Sequence, residues 1–279
     1  MRALITVEEV SDGTRTSRPR IEWGRAAGLS DVGRSRRRNE DAFVVDSRRK
    51  LLLVSDGMGG HNGGDVAAHI VAEGLPTMLD ERLGPERRGG IPQILRSTLM
   101  DVSRAVWSIA DGRKGLSGMG ATVVLAMLRG SALFIANLGD SRAYMLHNGE
   151  LRQVTEDHSL VQRLIREGRL TVDQASHHPY SGVITRHMGM RKPHPPDVFR
   201  IEPSPGDRLL LCSDGLTGML RDAEIEEILR NTPCAERACR RLVTRANAAG
   251  GQDNITVVVA DFDPARRAKE RVPRNEALG

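Results

Sequence analysis

Aromatic side chains are scarce in this sequence, making up 3% of its 279 residues. A hydrophobic core must therefore be built mainly from Leu, Val, Ile, Ala and Met. The same scarcity argues against a nucleic-acid partner despite the net charge of +5, because the basic residues are scattered and no aromatic residues stand among them to stack on bases. We expect no nucleic-acid binding.

Cysteines and long apolar runs are also few. The three cysteines, Cys212, Cys234 and Cys239, are too few for a disulfide framework, which indicates a reducing compartment. No apolar stretch approaches the roughly 18 to 20 residues that span a bilayer, and the N-terminus lacks the pattern of a secretion signal. The sequence therefore predicts a soluble, cytoplasmic protein with no membrane partner.

The two ends of the chain differ from its middle. Residues 1–22 are polar and without periodicity, so we expect a flexible N-terminal extension. Residues 264–279 are charged and patternless, and they predict a C-terminal tail. With 39% apolar and 28% charged residues overall, the chain has a globular balance, and residues 23–263 are predicted to form one domain.

Short apolar runs predict a fold rich in antiparallel strands. Turn signals such as Arg129-Gly130 and Asn148-Gly149 join several of these runs into hairpins. Helical periodicity predicts four helices, over about residues 65–79, 91–109, 222–229 and 234–248. The order of strands, helix pair, strands and helix pair predicts an α+β fold, a four-layer α/β/β/α sandwich of two antiparallel sheets flanked by helix pairs.

Five aspartates lie at the ends of predicted strands: Asp41, Asp56, Asp140, Asp214 and Asp253. Strand ends converge at the rim of a sandwich, so these carboxylates are expected to meet there. Two unit charges about 4 Å apart repel by about 4 kcal/mol at an effective dielectric constant near 20, so such a cluster requires cations. Carboxylates without cysteine or abundant histidine select Mg²⁺ or Mn²⁺ over zinc.

Two of these aspartates occur in the same short pattern, an apolar strand followed by Ser-Asp-Gly, at residues 55–57 and 213–215. A single Asp-Gly pair is most simply a turn. Two copies of the longer pattern favour metal ligands, with a glycine that lets the backbone crowd an ion.

Seven motifs in order resemble the metal-dependent protein phosphatases of type 2C, bacterial branch. The resemblance covers about residues 28 to 262 and implies a hydrolase that removes phosphate from phosphoserine and phosphothreonine on proteins, with residues 23–263 as its catalytic domain. It also implies two Mn²⁺ or Mg²⁺ ions per chain, with a third, weaker one. The motifs are RRRNEDAF, VSDGMGGHNGG, GMGATVV, NLGDSRAY, DHSLVQRL, PGDRLLLCSDGLTGML and GGQDNITVVV.

The resemblance implies a role for each matching residue. The two central ions are bound by a set of four carboxylates and one carbonyl: Asp41, Asp56, the Gly57 carbonyl, Asp214 and Asp253. Glu40 supports these ions through water, and Asn254 orients ligands or water. Asp140 binds the third ion together with Asp214.

The phosphate-binding residue implied by the resemblance is Arg36, three residues before Asn39. A guanidinium suits that task because its planar fork donates two parallel hydrogen bonds to phosphate oxygens. Arg36 lies in a run of four arginines, so Arg34, Arg37 and Arg38 remain alternatives.

The prediction of the general acid depends on a single histidine near the first Asp-Gly pair. His61 is a candidate, although animal members of the family carry a histidine at the position of Met58. The alternatives are a histidine that only stabilises its loop, and a metal-held water as the acid. His158 and His178 are expected to be structural residues or part of a flap over the active site.

The reaction predicted by this resemblance is in-line attack on phosphorus by a water that the two ions activate, without a phosphoenzyme. We expect phosphoprotein substrates, a cognate bacterial serine/threonine kinase and a monomeric protein. A cysteine-dependent phosphatase is a rival, because Cys234 and Arg240 have C-x5-R spacing, but the residues between them are helix-forming and lack glycine. A catalytically weak, phospho-dependent adaptor with the same fold is the alternative from another class.

Overall fold

The computed structural model of the protein describes residues 21–59, 63–84, 90–176 and 178–264. Eleven strands lie in these residues, and all of their pairings are antiparallel. The strands are β1 (Ile21–Asp31), β2 (Asp41–Asp46), β3 (Leu51–Met58), β4 (Gly120–Ala121), β5 (Val123–Arg129), β6 (Ala132–Leu138), β7 (Arg142–His147), β8 (Glu150–Gln153), β9 (Asp197–Ile201), β10 (Arg208–Cys212) and β11 (Ile255–Pro264).

Seven helices lie in the same described residues. They are α1 (Gly64–Arg82), α2 (Ile91–Gly112), α3 (Leu160–Arg166), α4 (Val172–Ser176), α5 (Asp214–Thr217), α6 (Asp222–Arg230) and α7 (Ala235–Ala248). The four long helices are the four that the periodicity predicts. In the described part of the chain, no helix is both long and apolar enough to cross a membrane.

The strands form two sheets. Sheet A has the order β1-β11-β10-β7-β8, and sheet B has the order β2-β3-β5-β6-β9, with β4 paired to β3. Helices α1 and α2 cover sheet B, whereas α6 and α7 cover sheet A. The predicted α+β fold with two antiparallel sheets and flanking helix pairs is confirmed.

Strands with unbroken apolar runs contribute to two hydrophobic cores, one under the helices and one between the two sheets. In β3, Leu51 and Leu53 pack under α1 and α2, whereas Leu52 and Val54 pack between the two sheets. In β10, Leu210 packs under α6 and α7 while its neighbours face the other sheet. Because each strand is buried on both faces, its sequence shows no alternation of polar and apolar residues.

Two strands and three short helices, β1, β9, α3, α4 and α5, are not predicted by the sequence patterns. Strand β1 lies at the edge of sheet A and contains glycines, which weaken a strand pattern. A Cβ atom at Gly28 would overlap the ring of Phe43 from β2, so glycine allows the two sheets to close together. Strand β1 begins at Ile21; the rest of the predicted extension and nearly all of the predicted tail lie outside the described residues.

Candidate active site

The five aspartates come from both sheets. Asp41 opens β2 and is paired directly with Asp56 on β3, in sheet B. Asp140 lies two residues after the end of β6, which is also a strand of sheet B. Asp214 opens α5, two residues after the end of β10, and Asp253 lies two residues before β11; these two strands belong to sheet A. The sandwich therefore brings carboxylates from distant parts of the sequence to one rim.

Burial and mutual repulsion raise the pKa values of this carboxylate cluster. Burial is the main cause for Asp41, whose pKa is raised to about 7, and the charges of Asp214 and Asp253 add to it. Burial raises the pKa of Asp56 well above its usual range, with Asp41, Asp214 and Asp140 as further causes. Burial and the charge of Asp214 do the same for Asp140. These four carboxylates, of which Asp41 and Asp140 are buried and Asp56 and Asp214 half-buried, thus interact closely enough to oppose one another's ionisation.

Three oxygens of the cluster have no partner. Oδ1 of Asp41, Oδ1 of Asp140 and Oδ1 of Asp214 are buried and accept no hydrogen bond from any described residue. A buried, unsatisfied polar atom costs about 1 to 3 kcal/mol, and more when it is charged. Bound cations would remove that cost, and a donor set made of oxygen alone suits Mg²⁺ or Mn²⁺. The residues present therefore fit the predicted metal centre.

The side chains are not yet in the positions of metal ligands. Among the described residues, no group of three or more His, Cys, Asp or Glu side chains is arranged to hold an ion. The carboxylates of Asp56 and Asp214 lie close enough to each other to shift each other's pKa. The carboxylates would have to turn from each other toward a common ion.

Both Asp-Gly pairs of the repeated pattern need glycine because backbones approach closely. A Cβ atom at Gly57 would overlap backbone atoms of Gly64, at the start of α1, and the carbonyl oxygen of Glu40. A Cβ atom at Gly215 would overlap the carbonyl oxygen of Asn254. These contacts hold β3 against the strand that carries Asp41, and α5 against the loop that carries Asp253, so the glycines assemble the cluster whether or not they also give room to an ion.

Asn254 and Glu40 support the loop before β2. The Asn254 side chain accepts a hydrogen bond from the Glu40 amide at 2.8 Å and donates to the carbonyls of Val32 and Arg38 at 2.9 Å each. Its own amide donates to Asp253 at 2.8 Å. Burial raises the pKa of the Glu40 carboxyl, and the charge of Asp65 adds to that effect.

Arg36 lies over the mouth of the cluster. The amides of Arg34 and Ser35 both donate to the carbonyl of Gly251, which anchors the arginine run beside the Asp253 loop. From there, the Arg36 guanidinium donates to Asp253 at 2.7 Å while its side chain stays 54% exposed. Arg36 can therefore contact both the cluster and a ligand that arrives from solvent.

Comparison with known families decides what this site belongs to. The profile of the family described as Protein phosphatase 2C matches residues 32–256. The chain belongs to the protein phosphatase 2C family. It is accordingly a serine/threonine protein phosphatase, a hydrolase, as the motifs predict.

Named relatives of this phosphatase agree with that assignment. It is 38% identical over 244 residues to the serine/threonine phosphatase stp of Listeria monocytogenes, covering 86% of this chain and 97% of that protein. It is also 38% identical over 237 residues to the serine/threonine protein phosphatase PstP of Mycobacterium tuberculosis, covering 85% of this chain and 45% of that longer protein.

Solved structures of phosphatases also match the fold. The crystal structure of Mycobacterium tuberculosis PstP aligns with a TM-score of 0.79 at 35% identity, covering 88% of this chain and 99% of that one. The PstP catalytic domain in complex with two manganese ions aligns with a TM-score of 0.77 at 35% identity, covering 88% of this chain and 99% of that one.

Two hydroxyl residues of this 2C-type phosphatase were missed by the sequence analysis. Ser213 donates to Oδ2 of Asp41 at 2.8 Å and accepts from the Thr256 amide at 3.0 Å, so it ties a carboxylate of sheet B to sheet A. Thr122 accepts from the Asp56 amide at 3.0 Å, and its hydroxyl lies 2.7 Å from that of Ser141, beside Asp140. The repeated Ser-Asp-Gly pattern was the available signal for Ser213; Thr122 has none.

The histidines of the phosphatase differ in placement. His61 lies outside the described residues. His158 is buried and accepts from the Gly139 amide at 3.0 Å, while its other ring nitrogen lies 3.1 Å from Asp197, and burial lowers its pKa. His178 lies against Tyr180, with ring centres 5.6 Å apart. His158 therefore stabilises the loop that carries Asp140 through its hydrogen bond with Gly139, which is a structural role.

The rival cysteine chemistry has no site in this phosphatase. Cys234 is the residue that precedes α7, and Arg240 lies inside the same helix, where it pairs with Glu236 at 3.0 Å. A helix cannot wrap its backbone amides around a phosphate as a catalytic loop does. The other two cysteines are buried, and burial raises the pKa of each thiol to about 12.

Proposed function

We propose that this phosphatase hydrolyses phosphoserine and phosphothreonine on proteins with a water that two divalent cations activate at the carboxylate cluster. The observation that carries the proposal is the convergence of buried carboxylates from both sheets, three of whose oxygens have no hydrogen-bond donor among the described residues. The fit of this oxygen-only donor set to Mn²⁺ or Mg²⁺ supports it, as does the relative that binds two manganese ions.

The cations would be held by residues already described. Asp41, Asp56, Asp214 and Asp253 would supply carboxylates, with the Gly57 carbonyl beside them and Glu40 acting through water. Asp140 would share a third, weaker ion with Asp214. When bound, such ions lower the pKa of a water molecule and neutralise phosphoryl oxygens.

Arg36 would bind the phosphoryl group. Its guanidinium donates to Asp253 at 2.7 Å and its side chain is 54% exposed. From this position the guanidinium would donate two parallel hydrogen bonds to phosphate oxygens, while the Asp253 carboxylate would help to hold the cations. His61 is the proposed proton donor to the leaving serine or threonine oxygen.

The bacterial relatives, named serine/threonine phosphatases, support phosphoprotein substrates for this enzyme. We propose that a cognate bacterial serine/threonine kinase phosphorylates these substrates and that this chain reverses its action. We further propose that the enzyme works in cytoplasmic signalling as a monomer, with residues 23–263 as its catalytic domain.

Phosphate release from a phosphothreonine peptide, with Mn²⁺, with Mg²⁺ and with EDTA, tests this function. Turnover should require a divalent cation and be lost in Asp214→Asn, while circular dichroism shows an intact fold. Cys234→Ser is the matched control and should keep full activity. Peptide binding without turnover at saturating Mn²⁺ would favour the adaptor instead, and full activity of Asp214→Asn would contradict the metal assignment.

A further inference from the structure

A basic pocket lies at the opposite end of sheet B from the carboxylate cluster. It has a volume of about 530 Å³ and is formed by the β2–β3 turn, the β5–β6 turn and the end of α1. The charged residues of its wall are Arg48, Arg49, Lys50, Arg129 and Asp80. In the β2–β3 pair, Asp41 and Asp56 mark the catalytic end, and the pairing of Asp46 with Leu51 marks the pocket end. Five residue steps of about 3.3 Å separate the two ends by about 17 Å.

Positive charge exceeds negative charge in this basic pocket. Arg49 pairs with Asp46 at 2.5 Å and with Asp80 at 2.6 Å, and Arg48 reaches Asp80 at 3.4 Å. These contacts use both nearby carboxylates. Lys50 and Arg129 form no salt bridge with any residue of the described ranges, so the pocket keeps two uncompensated cations.

Arg129 has an unmet hydrogen bond as well as an unpaired charge. One terminal nitrogen donates to the carbonyl of Arg49 at 3.2 Å, but Nε is buried and has no acceptor among the described residues. Burial lowers the pKa of Arg129, and Asp80 offsets this only in part. An anion in the pocket would compensate the charge of this guanidinium and accept hydrogen bonds from its terminal nitrogens.

We propose that the basic pocket is a binding site for a tetrahedral oxyanion of the phosphate class, held by Arg129 and Lys50. The site is separate from the catalytic centre, since the phosphoryl group of a substrate at the cluster cannot reach it. Two sources carry this chemistry, namely free inorganic phosphate and a second phosphoryl group on a substrate. An extended chain covers at most about 3.6 Å per residue, so a second phosphorylated residue must lie at least about five residues from the first.

Thermal stability with inorganic phosphate tests the site, with sodium chloride at matched ionic strength as the reference. The measurement uses the full chain carrying Arg36→Gln, which removes the proposed phosphate ligand at the catalytic centre. Phosphate should raise the melting temperature of this protein above the chloride value. When Arg129→Gln or Lys50→Gln is added, the same rise in melting temperature should require at least about ten times more phosphate, which is the loss expected for a charged hydrogen bond. Arg200→Gln, which removes an exposed arginine paired with Glu202, should leave the effect unchanged.

The two sources are separated by kinetics with the otherwise unmodified enzyme. If a substrate phosphoryl group occupies the pocket, peptides with a second phosphoserine eight residues from the first should have a lower KM than singly phosphorylated ones, and Arg129→Gln should abolish the difference. If free phosphate occupies it, only the thermal effect depends on Arg129. Turnover of p-nitrophenyl phosphate should be unchanged by Arg129→Gln, which separates this site from the catalytic proposal. The absence of any effect of Arg129 and Lys50 in both assays would overturn the inference.

Discussion

Ser213 and Ser55 occupy the same position in the two copies of the Ser-Asp-Gly pattern, and both side chains are fully buried. Ser213 donates to Oδ2 of Asp41 at 2.8 Å, whereas Ser55 donates to the backbone carbonyl of Thr122 at 2.7 Å. Alanine at either position deletes one buried hydroxyl. Only at position 213 does the deleted hydroxyl hold a carboxylate of the proposed metal centre.

The magnitude follows from what each deletion leaves unsatisfied. Ser213→Ala leaves Oδ2 of Asp41 and the Thr256 amide without this partner, so the free energy of unfolding should fall by about 1 to 3 kcal/mol. Loss of a hydrogen-bond partner of a metal ligand weakens metal binding by about 10- to 100-fold. We therefore expect the affinity for Mn²⁺ to fall by about 10- to 100-fold in Ser213→Ala.

Isothermal titration of metal-free protein with Mn²⁺, together with urea unfolding, measures both effects. Ser55→Ala should lose a similar amount of stability, but its affinity for Mn²⁺ should equal that of the unmodified protein. An equal loss of Mn²⁺ affinity in the two variants would mean that Ser213 acts only through general packing. Unchanged affinity in both would mean that the hydroxyl does not orient Asp41.

Three further predictions concern the same site. Burial and neighbouring carboxylates raise the pKa of Asp41 to about 7, so the folded metal-free chain holds this proton more tightly than the unfolded chain does. The stability of the metal-free protein should therefore fall as pH rises from about 4 to 7, and saturating Mn²⁺ should remove that fall. Denaturant unfolding at several pH values measures the stability, and a rise in stability over this pH range would refute the reasoning. Gly215→Ala should cost about 1 to 3 kcal/mol of stability through backbone overlap, while Gly112→Ala, whose Cβ would meet no atom within 4 Å, should cost nothing in the same unfolding assay. Arg36→Ala should lower kcat/KM for a phosphopeptide about 10- to 100-fold, the value of a charged hydrogen bond, whereas equal loss in Arg37→Ala would assign phosphate binding to the whole arginine run.

Local patterns predicted most of the fold because they are strong where an element is long and buried. Helix α2 carries apolar residues at helical spacing throughout, and its start at Ile91 is the start of the predicted pattern. The sequence pattern does not predict strand β1, because it is an edge strand with glycine at positions 24 and 28 and a bulge between Trp23 and Ala26. Its place in the sheet comes from pairing with β11, more than 200 residues away in the chain, which no local pattern records.

By itself, the sequence predicted that aspartates at the ends of apolar strands meet at one rim, because the strands of a sandwich converge there, and the structure brings these carboxylates close together. Only the tertiary structure decided how they are held. The bond from Ser213 to Asp41, the support that Asn254 gives to the loop before β2, and the close approach of Gly215 to Asn254 all join segments distant in the chain. Hydrogen bonds and steric contacts act over a few ångströms in space, so residues distant in sequence acquire these roles only when the two sheets pack together.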